Sequence, residues 1–137
     1  AYAGIPLTHR DHAQSLTLVT AHGRESLDGV SWAGLAARGR TLAVYMGLDV
    51  LESTIERLVK SGIDAATPAA LVENGTRTTQ RVVTGTVGDI AMRARAAAIG
   101  PPALLIVGEV AACATTLHWF GVPPVGRTGG VDVEQPV

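Results

Sequence analysis

One stretch, residues 67–86 (TPAALVENGTRTTQRVVTGT), limits the folds open to this chain more than any other. Ala69, Leu71 and Val72 supply one strand-like apolar run and Val82 and Val83 a second, with the polar dipeptide Asn74-Gly75 between them. That dipeptide readily takes positive φ in a turn, so a tight antiparallel β-hairpin is predicted. Elsewhere strand-like and helix-like segments alternate. In a sheet built that way, a hairpin reverses the strand direction and opens a crevice for a ligand.

The remaining segments follow from periodicity and breakers. Residues 1–15 are rich in Gly, Pro and polar side chains without a period, and read as an irregular lead-in that must pack on something to be ordered. Residues 16–21 (LTLVTA) form a first strand, and Ser31 is placed to cap a short helix through Trp32, Leu35 and Ala36 before Gly39. Residues 41–46 (TLAVYM) form a second strand. After it, Asp49 with Glu52 makes a capping-box-like helix start and Gly62 a stop, with Val50, Leu51, Ile55, Leu58 and Val59 on one face. That face must cover a sheet. Asp89 opens an Ala-rich helix to Ile99, halted by Gly100-Pro101-Pro102. Residues 103–107 (ALLIV) form a fifth strand, reached by a helical crossover and so expected parallel to its neighbour. Val110 to Phe120 reads as a closing helix and residues 122–137 as an irregular tail. The predicted class is α/β: a five-stranded mixed sheet with an antiparallel hairpin, covered by helices.

Composition excludes several functions. The 137 residues are one domain's worth, and with only 4% aromatic residues the core must be built from Ala, Val, Leu and Ile. A net charge of −1 with no basic run gives nucleic-acid binding little to work with. The longest apolar stretch, residues 101–114, is too short to span a membrane and is broken by Gly108 and Glu109, so a soluble cytoplasmic protein is expected. Cys113, the one cysteine, excludes an internal disulfide and a multi-cysteine metal site and reads as a buried small hydrophobe. His9 and His12 lack a third metal ligand. His9-Arg10-Asp11 spells a kinase triplet, but neither the Asn that should follow nor a glycine-rich loop is present. The glycine-rich fingerprint of Rossmann methyltransferases and the P-loop are missing as well.

Four blocks, GIPLTHRD, ALVENGT, QRVVTGT and PALLIVGEV, occur in that order. Over residues 2–120 or so the chain resembles the C-terminal half of the uroporphyrinogen-III C-methyltransferases, of the tetrapyrrole methylase family. The resemblance implies a two-domain α/β enzyme binding S-adenosyl-L-methionine in the cleft between its halves and releasing S-adenosyl-L-homocysteine. It implies methylation of uroporphyrinogen III to precorrin-2 by way of precorrin-1, on the route to sirohaem and cobalamin, and a homodimer. Residues 1–15 would then lead in from an N-terminal domain lying upstream, residues 16–121 form the C-terminal domain, and residues 122–137 its tail. Met46, in the family's YMG motif, and Gly75, in ENGT, are implied cofactor contacts, the latter through its backbone. Ala103 matches a small residue at the cofactor edge, and Arg10 could face the carboxylates of the tetrapyrrole. No catalytic residue is expected in this chain, because the family's glycine-rich loop, acid and base belong to the other half. Two rivals are another precorrin methyltransferase and a non-catalytic assembly domain.

Overall fold

The computed structural model describes residues 1–126. Its strands are β1 (Ala13–Thr20), β2 (Gly39–Tyr45), β3 (Pro68–Glu73), β4 (Arg81–Thr86) and β5 (Ala103–Val107). Helices α1 (Gly23–Asp28), α2 (Leu51–Lys60) and α3 (Ile90–Ala96) and a 3-10 helix (Glu109–Thr115) connect or follow them. The strands form one open sheet in the order β1-β2-β5-β3-β4.

The class of fold is as predicted, but one strand direction is not. β1 and β2 are parallel, whereas β5 runs antiparallel to both of its neighbours, β2 and β3, and not parallel as the crossover implied. The crossover does return β5 in the direction of β4, since both are antiparallel to β3. β3 occupies the place between them. The consequence is functional: the start of β5 lies at the same end of the sheet as the finish of β2 and of β3.

The hairpin pairs from Pro68↔Thr86 to Glu73↔Arg81. It is not closed by a tight two-residue turn. Residues 74–80 form a longer loop, held by Arg77 N–H to Asn74 O at 3.0 Å and Gln80 N–H to Arg77 O at 2.9 Å.

Alternation along the strands gives the sheet two apolar faces. On one, Leu42, Val44, Leu71, Val83, Leu105 and Val107 pack with Leu27, Leu58 and Ile90 of the helices. On the other, Ala70, Val82 and Ile106 pack under Ala3 and Ile5 of the lead-in and Val110, Ala111 and Ala114 of the 3-10 helix. The lead-in is therefore ordered by burial of Ala3 and Ile5.

Local corrections have local causes. The helix predicted around Trp32 is absent and α1 precedes it. Gly34 adopts φ +77, which no right-handed helix contains, and Trp32 instead donates its indole N–H to Leu27 O at 2.9 Å, where α1 ends. α2 starts at Leu51 with Val50 as N-cap and no side-chain cap, so Asp49 does not form the expected box. Glu52 turns to Arg95 of α3. The stop at Gly62 is real: with φ +97 it lets Gly62 N–H bond Val59 O and Ile63 N–H bond Leu58 O, the paired closure that satisfies the last carbonyls. Val59, expected on the buried face, is 45% exposed. The Ala-rich helix, expected to run to Ile99, ends at Ala96 with the same closure, but Ala98 takes the left-handed position at φ +49. In place of a closing α-helix to Phe120 there is the 3-10 helix ending at Thr115. The start of the expected tail carries one isolated bridge, at which Val125 docks on the free edge of β4, donating to Val82 O at 2.8 Å and accepting from Thr84 N–H at 2.9 Å. The rest of it lies outside the described residues.

Candidate functional site

An open cleft of about 930 Å³ lies at the sheet end where β2 and β3 finish and β5 starts. That is within the roughly 300–1,000 Å³ of small-molecule sites. Tyr45 and Met46 contribute from the end of β2, Val72, Asn74, Gly75 and Thr76 from the end of β3 and its loop, and Pro101, Pro102, Ala103 and Leu104 from the start of β5. His22, Asp49 and Arg77 add polar groups to a mostly apolar lining.

Three of the four positions singled out in the sequence, Met46, Gly75 and Ala103, converge here. They come from segments far apart in the chain, and β5 brings Ala103 to this end because it is antiparallel to its neighbours, Ala103 pairing with Glu73. Arg10 does not join them. It is exposed in the turn before β1, at the opposite end of the sheet. There His9 and His12 stack at 4.6 Å between ring centroids and His12 Nδ1 lies 3.3 Å from Glu109 Oε2. Cys113 is only half-buried, and desolvation pushes its thiol pKa up.

The cleft also concentrates backbone strain. Among the described residues four non-glycine positions have positive φ, and three of them, Met46 (+53), Asn74 (+49) and Thr76 (+72), line it. Such conformations cost of the order of 1–3 kcal/mol each, and Thr76 is β-branched, which makes its own an outlier. Strain gathered at one place by three separate residues marks a surface shaped for something other than stability. Gly75, between two of them, does not itself need positive φ, and a Cβ there would meet only Val72 Cγ1, at 3.5 Å. Its smallness is therefore not required by the hairpin; what it does is leave main chain bare at the cleft.

The two walls are tied together beneath the opening. Asn74 N–H donates to Pro102 O at 3.0 Å. Glu73, 6% exposed, accepts from Arg81 Nε and Nη2 and from Gly100 N–H at 2.7 Å. The Arg81 guanidinium, followed by burial in the opposite sense and then by the Gly100 amide, holds the Glu73 carboxyl below its ordinary pKa, and the same contact with Glu73 raises that of Arg81. On the far side of the loop Gln80, 3% exposed, accepts from Thr76 N–H at 2.8 Å and donates to Tyr2 O. Sequence reading passed over Glu73, Asn74, Thr76, Gln80 and Arg81 as sites. A Glu before Asn-Gly reads as a turn residue, and only the register Glu73↔Arg81 reveals its partner.

A five-stranded mixed sheet that collects strained main chain and apolar side chains at its strand ends defines an α/β domain with a small-molecule cleft. The chain belongs to the tetrapyrrole (corrin/porphyrin) methylase family, whose model matches residues 1–91. It is 56% identical over 125 residues to a siroheme synthase of Xylella fastidiosa (strain M12), covering 91% of this chain and 26% of that protein. It is 49% identical over 121 residues to a siroheme synthase of Pseudoalteromonas translucida (strain TAC 125), covering 88% and 26%. The chain thus spans about a quarter of the length of these curated relatives. Among solved structures, the uroporphyrin-III C-methyl transferase of Thermus thermophilus complexed with S-adenyl homocysteine superimposes with a TM-score of 0.67 at 28% identity, over 81% of this chain and 49% of that one. The cobalt precorrin-4 methyltransferase CbiF, at 22% identity and a TM-score of 0.67, shares the fold. Among the described residues no helix is long and apolar enough to cross a membrane.

Proposed function

We propose that this chain is the adenosine-binding half of an S-adenosyl-L-methionine-dependent enzyme that C-methylates uroporphyrinogen III to precorrin-2 through precorrin-1. The observation that carries it is the convergence of Met46, Gly75 and Ala103 on one strained, largely apolar cleft. The relatives named siroheme synthase and the Thermus enzyme's complex support the same reaction class.

The cleft suits an adenosine on its own chemistry. Met46, Val72, Leu104 and the two prolines offer an apolar wall to a purine ring, and bare main chain at Gly75 can approach the ligand closely. Ala103, with one methyl, leaves room between the walls. The cofactor supplies an already activated methyl group, so transfer to a ring carbon depends chiefly on alignment and exclusion of water. This chain's residues serve alignment: the strained turns at Met46 and at Asn74–Thr76 present side chain and backbone from opposing strands, and Pro101-Pro102 closes the side without exposing an amide to water. No acid or base for the carbon centre is assigned to this chain; the family resemblance puts both in the other half of the enzyme. Arg10, at the other end of the sheet, has no part in the cleft.

The test is calorimetry of the full-length protein with S-adenosylhomocysteine, followed by an assay of precorrin-2 formation from uroporphyrinogen III. Saturable heat and precorrin-2 are expected. Absence of heat would indicate an assembly domain, and heat without precorrin-2 another methylase of the corrin route.

A further inference from the structure

We propose that Glu73 and Arg81 are positioning residues that set the two backbone walls of the cleft relative to each other. This rests on the cleft being the cofactor site, and it assigns to a half-buried ion pair, its carboxylate buried and its guanidinium partly exposed, a task that its stability contribution does not explain. Burying a carboxylate is costly, and exchange of such a pair for apolar groups is often neutral or favourable for stability.

The pair reaches four segments at once. Glu73 is the last residue of β3, directly before the strained Asn74 and Gly75 of one wall. Its Oε1 takes the Gly100 amide at 2.7 Å, directly before Pro101, Pro102 and Ala103 of the other wall. Arg81 opens β4 and, beyond its two contacts with Glu73, donates to Ala97 O and Ala98 O at 2.9 Å each. Those are carbonyls at the end of α3, and Ala98 leads through Ile99 into Gly100.

Chemistry explains why a side chain must do this. Within 100–102 only Gly100 carries an amide hydrogen, because prolines have none. The loop can therefore be anchored through one donor alone, and Glu73 is its acceptor. Without that bond the only tie among the described residues between the walls, beyond the end of the β3–β5 ladder at Glu73↔Ala103, is the contact from Asn74 N–H to Pro102 O. The planar fork of Arg81 fixes the carboxylate in two directions and leaves one oxygen aimed at Gly100, which an ammonium group would not do. The pair thus acts on the ligand through main chain and does not touch it.

The experiment compares S-adenosylhomocysteine dissociation constants and thermal midpoints of the full-length protein and four variants. Glu73→Gln keeps an oxygen for the Gly100 amide but sets an NH2 donor against Arg81 Nε–H, and is expected to bind less than about tenfold more weakly than wild type, whereas Glu73→Leu strands that amide and should bind about tenfold or more weakly. Arg81→Lys keeps the charge but loses the fork, and should bind about threefold to tenfold weakly; it carries the test should Glu73→Leu fail to fold. Leu58→Val, in the last turn of α2 and outside the cleft lining, serves as a destabilised control whose affinity stays at the wild-type value. Rescue by Gln and indifference to Leu58→Val separate positioning from mere loss of stability. If wild type binds and folded Glu73→Leu or Arg81→Lys binds equally well, the inference is wrong. If wild type itself gives no heat, the cofactor reading is wrong and the inference goes with it.

Discussion

Replacement of Gly75 by alanine separates the two roles a glycine in a hairpin loop can have. The backbone at Gly75 lies outside the positive-φ region, and an added Cβ meets only Val72 Cγ1, at ordinary contact distance of 3.5 Å. Folding therefore meets no clash, and loss of glycine's freedom in the unfolded chain should leave stability unchanged or raise it by up to about 1 kcal/mol. Ligand binding should respond differently. If the cofactor rests on this main chain, a methyl group forces it or the loop aside, an overpacking cost of about 1–3 kcal/mol, which is roughly 5- to 150-fold in affinity. The assay is calorimetric titration of full-length Gly75→Ala with S-adenosylhomocysteine, alongside urea unfolding. Affinity within about twofold of wild type in a folded variant would show that the ligand does not approach here. Marked destabilisation would show instead that the glycine serves the loop, against the geometry described.

Further outcomes follow from other positions. Met46→Asp puts a charge against the apolar wall and should weaken S-adenosylhomocysteine binding by at least about tenfold, an unchanged dissociation constant counting against the wall. Ala98→Gly relieves a left-handed alanine at the end of α3 and should stabilise by about 0.5–1 kcal/mol in urea unfolding; lower stability would contradict that strain. Glu73, depressed from 4.5, binds its proton more readily in the unfolded state. Its contribution is thus complete at neutral pH and is lost as pH falls from about that value through the lower folded one, and Glu73→Gln should flatten the acid limb of stability against pH. Burial raises Asp89, but the Thr86 amide and Arg93 outweigh it and leave its pKa lowered, so the same sign holds and part of the acid loss should survive in Glu73→Gln. The chain alone should show no methyl transfer, because the glycine-rich half is not in it; turnover at the intact enzyme's rate would refute the division of labour.

Much of the fold was legible because it is written locally. Alternating or continuous apolar runs placed all five strands, and β5 matched its predicted limits residue for residue. Gly62 ended α2 for a backbone reason that needs no partner, whereas α3 stopped at Ala96, with Ala98 in the left-handed position, before it reached Gly100-Pro101-Pro102. The hairpin's antiparallel sense and the family blocks, which pointed to Met46, Gly75 and Ala103, were likewise present in the string of residues. What the string could not contain was which strand lies between which. Only tertiary pairing inserted β5 between β2 and β3, reversed its expected sense, and so carried Ala103 to the end of the sheet that holds Met46. The same holds for the left-handed turns at Met46, Asn74 and Thr76, for Glu73 reaching Arg81 and Gly100, and for Val125 closing the edge of β4. Periodicity and capping act over a few residues, whereas a cleft is made by segments tens of residues apart, and only the packing of the whole sheet decides that they meet.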